Sequence, residues 1–138
     1  PEVKMVALDT NVIVRYIAQD DPVQSVAATH IFEEVISDKN HGFISSIALC
    51  ETVWVLSRAY GQSREMLLRV IETLLKTDNL ELEHRDVVWN AMDDFKSGKA
   101  DFSDYLLARI GKAAGASTTL SFDDKALKTK SLFSSAGR

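Results

Sequence analysis

A single cysteine, Cys50, stands among 138 residues, which excludes an intrachain disulfide and suits a reducing, cytoplasmic compartment. No apolar stretch approaches the roughly 20 residues that span a bilayer, so no membrane partner is expected. The start, PEVKMVALD, has a short apolar run without a small-residue cleavage site and reads as a strand rather than a leader. Basic excess is also missing: 16 Lys and Arg against 20 Asp and Glu leave a net charge of −4, which argues against a wholesale basic nucleic-acid coat. There is no GxxxxGK[ST] loop and no GxGxxG, so nucleotide binding through those motifs is excluded. His30, His41 and His84 lack zinc spacing, and Cys50 lies in an apolar run that reads as core rather than nucleophile. Trp54 and Trp89 likewise read as core rather than stacking platforms. Repeats, low-complexity segments and linkers are absent.

What remains is a chain long enough for one domain with a real core, 46% hydrophobic and 26% charged. Residues 1–95 hold 16 acids and 8 bases, whereas residues 96–138 hold 4 acids and 8 bases. The last third is therefore locally basic, either by scatter of surface lysines or as a basic rim around an acidic centre. Residues 3–8 predict a buried strand and 12–18 a short helix. Asp21-Pro22 predicts a helix start, running to about Ser37 with Val23, Val26, Ala27, Ile31 and Val35 on its apolar face. A strand follows over 42–45, then a helix over 47–60 capped by Ser45 or Ser46 and closed by Gly61. Helices over 63–76, 86–96 and 102–114, an edge strand over 80–84, a strand over 117–121 and a last helix over 124–130 complete the pattern. The tail, 131–138, reads as loose. Strands alternating with helices predict an α/β fold with a parallel sheet and helices on both faces, where sites form at the carboxyl ends of strands.

Four acids far apart in the chain each fall at or near an element end: Asp9, Glu51, Asp104 and Asp123. Carboxylates repel one another, so a shared cleft is unfavourable unless a cation neutralises them. Brought together, these four would make a magnesium or manganese site suited to phosphate chemistry. Each also has a plainer reading. Asp9-Thr10-Asn11 can be a turn as well as a cation ligand with Asn11 orienting it. Glu51 has Ile47, Ala48, Trp54 and Val55 as helical neighbours, which places a carboxylate on an apolar face where burial is costly unless it is paired or metal-bound. The plainer reading is that this helix edge reaches solvent, or that Glu51 pairs with an arginine such as Arg58 or Arg109. Asp101 and Asp104 can be the N-cap and third residue of a helix, or Asp104 can face a cleft beside inward-looking Leu107 and Ala108. Asp123-Asp124 can cap the next helix, or Asp123 can join the acidic set with Asp124 turned outward. Ser121 is placed to position Asp123 or a substrate phosphate.

Taken together, LDTNVIVRYI, SSIALCETVWVL, DFSDYLLARIGKAAGA and TTLSFDDKAL resemble a PIN-domain ribonuclease, and specifically the VapC-type toxins of bacterial and archaeal toxin–antitoxin pairs. The likeness covers roughly Val3 to Leu127, in order and spacing. It implies a single PIN-like domain over 1–138, a three-layer α/β/α fold with a short, mostly parallel central sheet. It places the family's acidic quartet on Asp9, Glu51, Asp104 and Asp123, with Asn11 as the polar partner of the first. Asp101 and Asp124 are extra acids beside matched ones, and Ser121 stands where threonine is more usual. The resemblance further implies an endoribonuclease dependent on Mg²⁺ or Mn²⁺, with Asp9 and Asp104 holding the principal ion. A homodimer and a cognate antitoxin whose tail enters the acidic groove are the implied partners besides RNA.

Two other classes fit some of these features. A haloacid-dehalogenase-like phosphatase also begins with Asp after its first strand, but it needs a second Asp two residues on, where this chain has Asn11. A non-catalytic PIN-like scaffold would bind RNA or protein without cutting, yet has no reason to retain four costly acids.

Overall fold

The apolar run after Val3 becomes β1, Lys4–Ala7, in the computed structural model, which describes residues 2–137, but this strand, expected to be buried, is exposed along its length. It pairs in parallel with β2, Asn40–Ile44, and β2 pairs in parallel with β3, Leu80–Leu82, so the sheet order is β1-β2-β3. Parallel neighbours require long crossovers. Here α1 (Thr10–Ala18), α2 (Gln24–His30) and a π-helical turn (Ile31–Val35) join β1 to β2. Then α3 (Ser46–Arg58) and α4 (Arg64–Lys76) join β2 to β3. Two caps explain where the latter helices begin: Ser45 Oγ accepts from Ala48 N at 3.1 Å, and Ser63 Oγ accepts from Met66 N at 3.2 Å. Ile13, Ile44, Leu49, Leu56, Ile71 and Leu75 are fully or almost fully buried in this part of the chain. β3 is bracketed by Asn79 (φ 68°) and His84 (φ 55°), both left-handed without being glycine.

The chain divides into two compact units, Pro1–Glu83 and His84–Arg138. The second unit begins with α5 (Arg85–Ser97) and α6 (Phe102–Ala113). These are joined by Phe95 edge-on to Phe102 at 6.0 Å and by a fork from Arg109 to both Asp94 oxygens at 2.6 and 2.8 Å. The connection between them is built against Tyr105: a Cβ on Gly98 would run into its phenol oxygen, which also accepts from Ala100 N at 3.2 Å. Next come β4 (Thr119–Ser121), α7 (Asp124–Leu127) and β5 (Phe133–Ser135), with β4 and β5 paired in parallel.

Several expectations need correction. The helix predicted from Asp21-Pro22 to Ser37 is instead α2 followed by the π-helical turn. The N-cap position of α2 is Val23 rather than Asp21, but Asp21 accepts from Val23 N and Gln24 N just before the helix, and these bonds hold its carboxyl below the usual range. Its predicted apolar face points outward, with Val23 76% and Val26 67% exposed, while Ser25 and Ala28 are buried. The cause is Ser25, whose hydroxyl donates to the Arg15 carbonyl and accepts from Asp21 N, turning the opposite face towards α1. Trp54 is 60% exposed rather than core, because α3 buries Ala48, Leu49, Thr52, Val53 and Leu56 on its other side. Cys50 is half-buried. The predicted helix over 124–130 is a single turn, and the tail expected to be loose carries β5, with Leu132 and Phe133 buried. Arg138 lies outside the described residues. Among the described residues, no helix is long and apolar enough to cross a membrane.

Candidate active site

In the first unit, β1 runs into buried Leu8, whose N–H donates to Phe43 O at 2.9 Å, and the chain then turns at Asp9 into α1. Asp9 is exposed at the carboxyl end of the strand and is the N-cap of α1, its Oδ1 accepting from Thr10 N at 2.8 Å. The cap and cation readings of this acid are compatible, because one carboxylate oxygen makes the cap and the other keeps its lone pairs. Glu51 lies on α3. It is exposed, as are Ile47 (74%) and Trp54 (60%) one turn either side, so the cost of burial predicted for it does not arise. Nor does Arg109 serve as its partner, since that guanidinium is taken by Asp94, which pushes its pKa up further. Instead the Thr10 hydroxyl donates to Glu51 Oε1 at 2.9 Å. Asp9 and Glu51 are thus linked through one residue.

The helices carrying this pair are also tied at their far ends. Arg15 on α1 donates to the Tyr60 hydroxyl oxygen at 2.9 Å and to Gln24 Oε1 at 2.9 Å, while Tyr60 donates to Asp20 Oδ2 at 2.6 Å. The bond to Asp20 pushes the Tyr60 phenol above its usual range. Asn11, expected to orient Asp9, is exposed beside Val12, Arg15 and Gln24 in a shallow hollow. Thr10, rather than Asn11, supplies the hydrogen bonds to the acids. Sequence reasoning passed over Thr10 because its partner is 41 residues away, and only the fold brings the two into reach.

In the second unit, Asp101 and Asp104 form the capping box of α6, with Asp101 N donating to Asp104 Oδ2 at 3.3 Å. That is the plainer of the two readings, and it holds. Asp104 nevertheless has a second property. It is half-buried, and its carboxyl is pushed above the ordinary value of 3.8 by burial first, against the lowering effect of the Asp101 N–H, and then by the charges of Asp101 and Asp123. Ala108, one turn on, is buried, but Leu107 is 60% exposed and does not look inward. Asp123 caps α7, accepting from Lys125 N at 2.9 Å, and its own N–H donates to Ser121 Oγ at 3.0 Å. Ser121 therefore sets the backbone of Asp123. Asp124 is the exposed first residue of α7.

Among the described residues, no three or more His, Cys, Asp or Glu side chains stand together as a preformed metal cage. The donors present are nevertheless of the kind a hard divalent cation takes, all carboxylate oxygens. In the second unit they include an acid held between like charges, which an added cation would relieve. An apolar hollow of about 260 Å³ beside Tyr16, Phe32, Met66 and Leu74 is lined by none of these acids.

A family model described as the PIN domain matches residues 6–132. A VapC ribonuclease of Aquifex aeolicus (strain VF5) is 24% identical over 119 residues, spanning 86% of this chain and 87% of that protein.

Proposed function

We propose a function from one premise: this chain belongs to the PIN domain family. It is a metal-dependent endoribonuclease that hydrolyses RNA phosphodiester bonds, and it acts as the toxin of a VapC-type toxin–antitoxin pair. The observation that carries this reading is the PIN-domain match over residues 6–132, within which Asp104 is half-buried and its carboxyl is raised by burial first and then by the charges of Asp101 and Asp123. Asp101 is the capping-box partner of Asp104, so the charge of Asp123 is the influence that capping alone does not account for.

Asp9 and Glu51 on the first unit, and Asp104 and Asp123 on the second, are the carboxylates we assign to Mg²⁺ or Mn²⁺. Such an ion supplies an activated water and neutralises charge on the phosphodiester as it is displaced. Ser121 and the α7 cap hold Asp123 in place, and the capping box fixes the rotamer of Asp104. Asp101 and Asp124 remain neighbours that tune local charge. RNA is the substrate, and the partners are a cognate antitoxin and a second copy of the chain. An acidic surface accepts an antitoxin arginine on electrostatic grounds.

The test is RNA cleavage by purified protein with and without Mg²⁺ or Mn²⁺, beside Asp104→Asn prepared identically. Metal-dependent cleavage that falls about a hundredfold or more in the variant is the expected result. Equal activity in the two preparations, or cleavage indifferent to chelator, would overturn the reading.

A further inference from the structure

Thr10 occupies the joint between the two acids of the first unit. Its backbone N–H donates to Asp9 Oδ1 at 2.8 Å, and its hydroxyl donates to Glu51 Oε1 at 2.9 Å. One residue thus holds an acid next to it in sequence and an acid on a different helix. The geometry suits orientation more than stability. Thr10 is the first residue of α1, and its β-branched side chain has few rotamers there. Glu51 is exposed on a flexible three-torsion side chain, so without a partner its carboxylate samples many orientations. The bond engages Oε1 and leaves Oε2 uncommitted, as a ligand held by an outer partner requires.

We propose that Thr10 is a positioning residue, whose hydroxyl orients the Glu51 carboxylate so that Glu51 and Asp9 are presented as a pair to a divalent cation. This rests on the assignment of those two acids as metal-holding. A merely structural tie between α1 and α3 makes a different prediction. The bond is solvent-exposed, so water replaces it when it is lost, and what changes is the ordering of Glu51 rather than the fold.

Mn²⁺ binding measured by titration calorimetry without RNA, together with Tm, separates these roles. Four variants are needed: Thr10→Val, Thr10→Ser, Glu51→Ala and the Thr10→Val/Glu51→Ala pair. Thr10→Val should weaken Mn²⁺ binding about tenfold with Tm unchanged, the scale of outer-partner losses at metal sites. Thr10→Ser, which keeps the hydroxyl, should bind as wild type. In the Glu51→Ala background Thr10→Val should add nothing, because the group it acts through is gone. The proposal is overturned if Thr10→Val binds Mn²⁺ as wild type, or if its loss is equal in both backgrounds. It is overturned equally if Thr10→Val lowers Tm and Thr10→Ser restores Tm without any change in binding. If Glu51→Ala itself binds as wild type, the assignment of Glu51 has failed and the role of Thr10 with it.

Discussion

Asp104 shows how one side chain can work against the fold that holds it. Its folded-state pKa lies above the ordinary 3.8, so the folded chain favours the protonated form. That contribution is fully present below about 3.8, the unfolded value, and is lost as pH rises through the folded value. At neutral pH the charged carboxylate is therefore a burden. Asp104→Asn, which keeps the capping acceptor without the charge, should raise Tm by about 2 °C at pH 7, the scale of a small relief of repulsion in a chain of this size. The gain should shrink as pH falls through the folded value towards 3.8, as the wild-type side chain takes up its proton. Thermal melts of both proteins across that range check the sign, and a variant less stable than wild type at pH 7 would contradict it. At this scale the sequence was informative where the acid also made a local bond. Asp101 as a cap, Ser121 beside Asp123 and Ser45 before α3 could all be read from neighbouring residues. The exposure of Glu51 was left open between two readings, because helical spacing alone does not say which apolar face is turned inward. Thr10 stayed invisible because its partner is distant in sequence.

Elements in this protein are fixed by few, well-placed contacts. The Arg109–Asp94 fork is the plainest example, since it joins α6 to α5 with both side chains largely shielded. Asp94→Ala should cost about 2 kcal/mol, the worth of hydrogen bonds to a charged group plus the burden of a stranded cation. Denaturant unfolding with an unchanged m value would register it, and a loss under half of that would mean the pair is as weak as an exposed one. The starts of α3, α4 and α6 and the end of α5 were readable because Ser45, Ser63, Asp101 and Gly98 sit where caps require them, whereas α5 starts at His84 without a side-chain cap bond. The face of α2 was not readable, since it is decided by the two hydrogen bonds of Ser25 to α1 and to Asp21. β5 was missed for a related reason. Three residues are too few to show alternation, and the strand exists through its pairing with β4.

For the whole molecule, charge along the chain bears on how RNA is met. Residues 96–138 carry 8 bases and 4 acids, one base being engaged by Asp94, within a chain of net charge −4. Such a protein contacts few phosphates at once. RNA affinity, measured with the Asp104→Asn variant, should fall only about tenfold between roughly 50 and 200 mM salt, the slope of two or three phosphate contacts on a single strand. A fall of a thousandfold would mean a far broader basic surface. The α/β class and the parallel pairing were readable from the alternation of elements, whereas no shift in composition marks the boundary between the two compact units. That division falls at His84, which is also the left-handed residue from which α5 departs. Considered across generations, this backbone angle acts as a filter on inheritance. Glycine, asparagine and aspartate pass at small cost, while valine, isoleucine and threonine are refused, however well solvent would receive their side chains. An exposed position with no chemistry of its own is thereby held to a narrow alphabet, and drift there is governed by geometry alone.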